Sequence, residues 1–585
     1  MSLIIYRKEE SDEMKKRLPY GIGDFEKIRK EGMYYVDKTA IIEELERHQY
    51  PFLIRPRRFG KSLLVSMLQH YYDVKKHDAF DELFHDLYIH AHPTRERNSY
   101  LVFRIDFSGI ETSMGKNKLF QTFTEKVRTY AITFVKKYSE ELKNGNQYDF
   151  NKATDPAQII SQICSILLQN EKQAYLLIDE YDNFANDLIG ANDDTLYYDI
   201  LSKTGFVRTF YEAVKSGAQE GAISRIFMTG VSPIMLDDLT SGFNIASNIT
   251  LDYDFNEQLG FTQNEVEDML DYYWCLDDTH YNRNNVLKEM KTYYNGYLFN
   301  EDSKERLYNP DMILYFLKYV SQGRYPREMI DTNVRTGYGK LKRLLRENHK
   351  KDDMTEITSF ETINEQDEII TRIKRMFPLE AITGKEEITS LMYYMGMLTI
   401  QEPMLGSVKL KIPNLVTKEL YWEYLFEKIK KQLNYAVDMG GILKTLETMA
   451  TTGNPKNFIE YTYDKVLHYI SNRDLMGMEE KHVKMIFLSF LSVNNIYIPY
   501  SELEMNSGYS DLVLYPDSRF DVQNSQIWEL KYLKKREERA EKLKEAKAQI
   551  ERYERDEKFL RLARGTRIYK YILLCSKDAV EIIEC

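Results

Sequence analysis

The chain has 585 residues, a formal net charge of −11, 43% hydrophobic and 29% charged residues, which excludes a broadly disordered protein and predicts several domains. No apolar run reaches the roughly 18 residues of a membrane span, and the N-terminal apolar stretch is too short for a secretory signal. Four cysteines (Cys164, Cys275, Cys575, Cys585) without a CxxC pair argue against a disulfide framework or a cysteine zinc site, so a reducing cytoplasm is the expected setting.

In the first half, short apolar strands alternate with helical patterns, which predicts a parallel α/β sheet. Strands are expected at Phe52–Ile54, Leu101–Asp106, Tyr175–Ile178, Ile226–Thr229 and Ile249–Leu251, with helices at Lys61–Tyr72 and Ala157–Asn170. Between the first strand and its helix stands Arg55-Pro56-Arg57-Arg58-Phe59-Gly60-Lys61-Ser62. A phosphate-binding loop needs that strand-to-helix context, because backbone N–H groups and the helix N-terminus hold phosphate oxygens. Lys61 would reach the β- and γ-phosphates and the Ser62 hydroxyl would ligate Mg²⁺. Arg55 occupies the position of the usual first glycine, and Pro56 removes one N–H donor; Arg57 and Arg58 would compensate with charge.

Leu176-Leu177-Ile178-Asp179-Glu180 is an apolar strand ending in two acids. In order after the loop, Asp179 is expected to hold Mg²⁺ through water and Glu180 to polarise the attacking water. The Ile226–Thr229 strand is expected between the loop strand and the acidic strand. Thr229 would then face the γ-phosphate, or else serve only as a strand-end turn residue. Together these elements predict ATP binding and hydrolysis.

From about Glu257 to Lys430 the strand signal fades. Gln263–Tyr273 and Asp311–Val320 read as helices within a mainly helical region holding one small winged or lid-like piece, and Asn348–Asp367 reads as an exposed connection. From about Gly477 a helix, two strands, a basic helix and a strand at Arg567–Cys575 predict a separate small α/β domain. Asp511 opens the apolar run Leu512–Tyr515; Ile527–Tyr532 reads as the returning strand. Glu529 and Lys531 share one face of it, and Asp511 can meet Glu529 if the strands pair. Two carboxylates holding Mg²⁺, with Lys531 positioning water or offsetting charge, suit phosphodiester hydrolysis; a surface strand alternating charged and apolar residues is the competing reading. Between Glu529 and Lys570 lie 15 Lys/Arg against 9 Asp/Glu, either a salt-bridged solvated helix or a nucleic-acid surface. Gln549 and Tyr553 share a face of that helix.

The motifs Leu18–Phe25, Tyr35–Thr39, Arg55–Ser62, Leu177–Asp182, Thr229–Ser232, Gly260–Thr262, Tyr294–Tyr297 and Tyr308–Pro310 resemble the predicted AAA-ATPase-like family of bacteria and archaea, whose members carry a C-terminal PD-(D/E)XK nuclease-superfamily domain. The resemblance implies a P-loop NTPase parallel sheet (1–255), a lid or winged-helix-like helical region (256–345), a helical linker region (346–476) and a small restriction-endonuclease-like α/β domain (477–585). It makes the arginine and proline of the phosphate loop ordinary, and it places Tyr35, Asp37 and Lys38 near the adenine. At the C-terminus it implies a metal site of Asp511 and Glu529 with Lys531, and an upstream helical acid, Glu480 or the weaker Glu504. Gly508-Tyr509-Ser510 stands where the family has Gly-x-Gly-Arg. The expected function is an ATPase (cofactors ATP and Mg²⁺) coupled to a Mg²⁺-dependent nuclease in defence against foreign DNA. The alternative is an ATP-driven switch whose C-terminal domain only binds nucleic acid or a protein. The expected partner is nucleic acid, DNA ahead of RNA; no membrane is involved, and a homo-oligomer is left open.

Overall fold

A computed structural model describes residues 15–331 except 144, 192, 240–241 and 277–280, and residues 368–585 except 383, 433–437, 468–479, 506–507, 554–555, 557–558, 561–562, 564 and 577–578. The connection expected at 348–367 lies outside them. The chain divides into two compact units, 1–415 and 416–585, so residues 256–415 group with the first sheet and 416–476 with the last.

The first unit is built on β1 (Pro51–Ile54), β2 (Leu101–Asp106), β3 (Ala174–Asp179), β4 (Ile223–Gly230) and β5 (Ser247–Asn248). All pairs are parallel, in the order β2-β3-β4-β1-β5. Every residue of β1 and β3 is buried. Helices cover both faces of such a sheet, which is why these strands read as unbroken apolar runs rather than alternating ones. The helix Lys61–Tyr72 follows β1, with Gly60 as its N-cap. The helix Pro156–Gln169 starts on Asp155, whose carboxylate accepts the Gln158 N–H at 2.9 Å, with proline in its first turn.

One strand is displaced from its expected place. β5 pairs with β1 at Ser247 and Asn248, and 249–251 form a turn. Asn248 Oδ1 accepts the Thr250 N–H at 3.0 Å, and Thr250 Oγ1 accepts the Ile54 N–H at 3.0 Å. Side chains thereby replace the ladder, and the strand ends before its most apolar residues.

Beyond the sheet lie the helices Gln263–Tyr273, Arg283–Tyr294, Pro310–Val320 and Lys385–Tyr394. With them is an antiparallel sheet of β6 (Ile369–Thr371), β7 (Thr399–Met404) and β8 (Ser407–Lys411), ordered β6-β8-β7. Its strands are short and half polar, and Pro403 sits inside β7, so the sequence carries little strand signal there.

The second unit holds β9 (Tyr497–Met505), β10 (Gly508–Pro516), β11 (Asn524–Tyr532), β12 (Arg567–Cys575) and β13 (Val580–Glu584), in the order β13-β12-β11-β10-β9. Only β11 and β12 run parallel; the helix Arg539–Tyr553 makes that crossover. Trp528 is fully buried beside Phe458 and Phe487, which fixes the opposite face of β11 for Glu529 and Lys531.

Candidate active sites

The loop between β1 and its helix turns on two left-handed residues, Arg58 (φ 67°) and Gly60 (φ 87°). Glycine adopts this conformation without strain, whereas arginine does not. Arg55 points away from the loop. Its guanidinium donates to the carbonyls of Ile54 (2.9 Å), Thr250 (3.0 Å) and Phe255 (2.5 Å) and lies 4.0 Å from the Phe299 ring centroid. Burial lowers its pKa to about 10. The residue that replaces the usual glycine is therefore a buried strut under the loop.

Lys61 Nζ donates to the carbonyls of Arg55 and Pro56, both at 2.9 Å, and only 8% of the residue is exposed. Burial lowers its pKa, against the pull of Glu180, Asp179 and Asp182. Asp179 ends β3. Burial raises its pKa, against the pull of Ser62, Arg104 and Lys61; Arg104 approaches its Oδ2 at 3.7 Å, and its buried Oδ1 has no hydrogen-bond partner. Glu180, next in sequence, has φ 52° and a pKa raised by burial. Gly60, Lys61, Ser62 and Glu180 line a cavity of about 730 Å³, with Arg57 and Arg58 at its wall.

Tyr35 and Lys38 line the same cavity. Lys38 Nζ donates to the Glu257 carbonyl at 3.0 Å and pairs with Glu265 at 2.6 Å. Asp37 does not line it: its carboxylate accepts the Thr39 N–H (2.8 Å), the Thr39 hydroxyl (2.7 Å) and the Tyr88 N–H (2.6 Å). Asp37 is a local clamp rather than a cavity-facing group, a correction to the expected role. Thr229 is corrected likewise. β4 does lie between β1 and β3, but Thr229 is buried and its hydroxyl donates to the Leu53 carbonyl at 2.9 Å. Gly230 and Val231 line the cavity there instead.

Two further acids were not singled out from sequence. Asp182 accepts the N–H groups of Val231 (3.0 Å) and Ser232 (2.6 Å) and the Asn186 amide (2.8 Å). A Cβ on Gly230 would stand 2.5 Å from its Oδ1, so glycine is needed there. Asp311 lines the cavity from the start of the Pro310–Val320 helix. The sequence signal was the place of Asp182 at the end of the Leu177–Asp182 motif and of Asp311 directly after Tyr308–Pro310.

In the second unit Lys531 Nζ donates to Glu529 Oε1 at 2.8 Å and stands 3.7 Å from both Asp511 Oδ2 and Glu480 Oε1. Asp511 Oδ2 also accepts the Leu530 N–H at 2.9 Å. All four charged groups therefore meet, as the strand pairing requires, and Glu480 is the upstream acid that joins them. The side chain of Glu504 lies outside the described residues. Burial, then the charge of Asp511, pushes Glu529 up to about 8, with Lys531 opposing. Its buried Oε2 has no hydrogen-bond partner. Burial alone would lower Lys531, but Asp511, Glu529 and Glu480 together raise it. Tyr553 is buried and pushed up to about 12 by burial and by the charges of Glu529 and Asp511. The helix Arg539–Tyr553 thus turns that face to the site, while Lys547 and Arg552 are exposed.

Among the described residues no cluster of three or more His, Cys, Asp or Glu groups is preset to hold an ion. Asp511 and Glu529 still offer a hard ion two carboxylates, one with a free buried oxygen, and would leave its other positions to water and phosphate.

Residues 19–240 match the family described as Predicted AAA-ATPase, and residues 478–585 match the PD-(D/E)XK nuclease superfamily. The chain is also 27% identical over 312 residues to an uncharacterised protein in the vnfD 5′ region of Azotobacter chroococcum mcd 1, an overlap covering 52% of each chain. It thus spans about half the length of that relative. Among the described residues no helix is long and apolar enough to cross a membrane.

Proposed function

We propose that this chain, a member of the predicted AAA-ATPase family through residues 19–240 with a PD-(D/E)XK nuclease superfamily domain at 478–585, hydrolyses ATP in its first unit and cuts nucleic acid in its second. The observation that carries the first half is the cavity lined together by Gly60, Lys61 and Ser62 of the loop and by Glu180, which follows Asp179 at the end of β3. Lys61, now satisfied by two loop carbonyls, would turn its ammonium to the terminal phosphates. Ser62 and the unpartnered Asp179 Oδ1 would hold Mg²⁺. Glu180 would take the proton of the attacking water, its charge disfavoured by burial until Lys61 or the metal offsets it. Tyr35 and Lys38 would line the nucleoside side.

In the second unit Asp511 and the free Glu529 oxygen would hold Mg²⁺. When bound, the ion lowers the pKa of a water and offsets charge on the phosphodiester. Lys531, held by three carboxylates, would position that water, and Lys547 and Arg552 would bind phosphates. We further propose DNA ahead of RNA as substrate, a cytoplasmic setting in a prokaryote, a role in defence against foreign DNA, and a division of the chain at 255, 345 and 476 whose third part crosses the boundary between the two units at 415.

The first test is nucleotide binding by the purified full chain with Mg²⁺. Lys61→Ala should abolish ATP binding, because the loop loses the charge facing the terminal phosphates. Unchanged affinity in that variant would sink the ATP reading.

A further inference from the structure

Asp311 lines the cavity, and the reading above gives it no part. Asp311 is 8% exposed, its backbone N–H is taken by Asn309 Oδ1 at 3.1 Å, and its buried Oδ2 has no hydrogen-bond partner. Buried polar atoms are rarely left unpaired, and those that are call for an explanation. Burial pushes Asp311 up to about 6, Asp331 pushes the same way, and Arg58 opposes both. Its charge is thus poorly compensated, and the cation that reaches it belongs to the phosphate loop.

Arg58 has the matching peculiarity. It is exposed, lines the cavity, and holds a left-handed backbone that arginine rarely adopts. Strain of this kind gathers where a side chain must be aimed. The two residues are also tied through their neighbours: Asn309, the N-cap of the Pro310–Val320 helix, donates its amide to the Arg57 carbonyl at 3.4 Å. The loop tip and the helix end therefore share a bond one residue from Arg58 and two from Asp311.

We propose that Arg58 and Asp311 together set the preference for triphosphate over diphosphate: Arg58 favours the γ-phosphate, and Asp311 tempers that preference by drawing the same guanidinium toward the helix when no γ-phosphate is present. This rests on the ATP reading of the cavity. A guanidinium presents five donors and pairs with carboxylate or phosphate alike, so the exchange needs no new contact type. It moves one cation between two acceptors, and it lets the Asn309 end of the helix respond to what occupies the loop.

The test is a double-mutant cycle on the full chain with Mg²⁺, read as the ratio of ADP to ATP dissociation constants. Asp311→Asn keeps the side-chain shape and removes the competitor. It should raise the preference for ATP by about three- to tenfold, the scale of coupling between members of one charge network. Arg58→Ala, at an exposed position, should lower the preference by a similar factor. Arg58→Ala/Asp311→Asn should match Arg58→Ala alone, since Asp311 acts only through Arg58. An Asp311→Asn effect that persists undiminished without Arg58 would overturn the pairing, because it would be a general charge effect. An unchanged ratio in Arg58→Ala would overturn it even if Asp311→Asn failed to fold. If Asp311→Asn instead weakened ATP and lost discrimination between ATP and its 6-oxo analogue, Asp311 would be an acceptor for the base and the proposal would fail. Loss of binding in Lys61→Ala with an additive cycle sinks only the pair; retained binding in Lys61→Ala sinks the ATP reading beneath it.

Discussion

Glu180 holds φ 52° at the end of β3, and its carboxyl is disfavoured as an anion by burial. A side chain in that state gains little for stability, which fits a group placed for chemistry. Glu180→Gln should therefore bind ATP as the wild type does and turn it over about 10²–10⁴-fold more slowly, the usual scale for a general base. Steady-state hydrolysis beside equilibrium binding checks this, and equal turnover would make Glu180 structural. At this scale the sequence was legible where the chain itself sets the geometry. Gly60, Lys61 and Ser62 are adjacent, and Asp179 and Glu180 close one apolar run. It was not legible for Asp37 and Thr229, whose polar atoms are consumed by Tyr88 and Leu53, partners that only the tertiary fold supplies. Asp311 was missed for the opposite reason: its distinguishing feature is a partner it lacks.

Between elements, one ion-pair cluster joins the helix Phe25–Lys30 to the helix Lys61–Tyr72 and the turn that follows it. Glu26 lies 2.8 Å from Lys30 and from Lys76, and 3.0 Å from His70 Nε2. Burial would raise its pKa, but hydrogen bonds from Lys30, Lys76 and His70 outweigh that and lower it to about 2. A carboxyl with a depressed folded pKa stabilises the protein above its unfolded value, and the stabilisation fades as pH falls through the folded one. Here the window runs from about pH 4.5 down to about pH 2. Glu26→Gln should thus cost stability at pH 6, on the order of 1 kcal/mol for a partly exposed cluster, and much less at pH 2.5. Thermal unfolding at the two pH values reads the difference, and an equal loss at both would mean that packing rather than charge is involved. Elements were legible in proportion to their apolar continuity. β1 to β4 and the helices Lys61–Tyr72 and Gln263–Tyr273 stand at or within two or three residues of their expected bounds. β6 to β8, β9 and β13 were missed because edge or short antiparallel strands carry mixed polar sequence, and β5 was misplaced because Asn248 and Thr250 end it by side-chain hydrogen bonds.

For the whole molecule, the cutting and the holding of nucleic acid proposed for the second unit would fall on different residues. Glu529 and Lys531 share a strand face with Asp511 opposite, all linked through the Lys531 ammonium, whereas Lys547 and Arg552 are exposed on the Arg539–Tyr553 helix. Cleavage and binding should therefore separate. Asp511→Ala or Glu529→Ala should eliminate Mg²⁺-dependent cleavage, because a site with two carboxylate ligands loses half of them. Binding should persist or tighten, since negative charge near the phosphates is removed. Asp511→Asn is the gentler companion, because Asp511 also accepts the Leu530 N–H and its truncation exposes a backbone donor. Lys547→Ala or Arg552→Ala should do the reverse, weakening binding and lowering its salt slope by about one per lost phosphate contact. The assay is cleavage of labelled DNA and RNA with and without ATP, beside binding at two salt concentrations. Salt-dependent binding without cleavage of either substrate would favour an ATP-driven switch with a binding module, and loss of both would point the second unit to a protein partner. The salt slope makes the comparison decisive: a variant that merely unfolds loses affinity at every salt concentration, whereas one lost phosphate contact changes the slope by a countable amount.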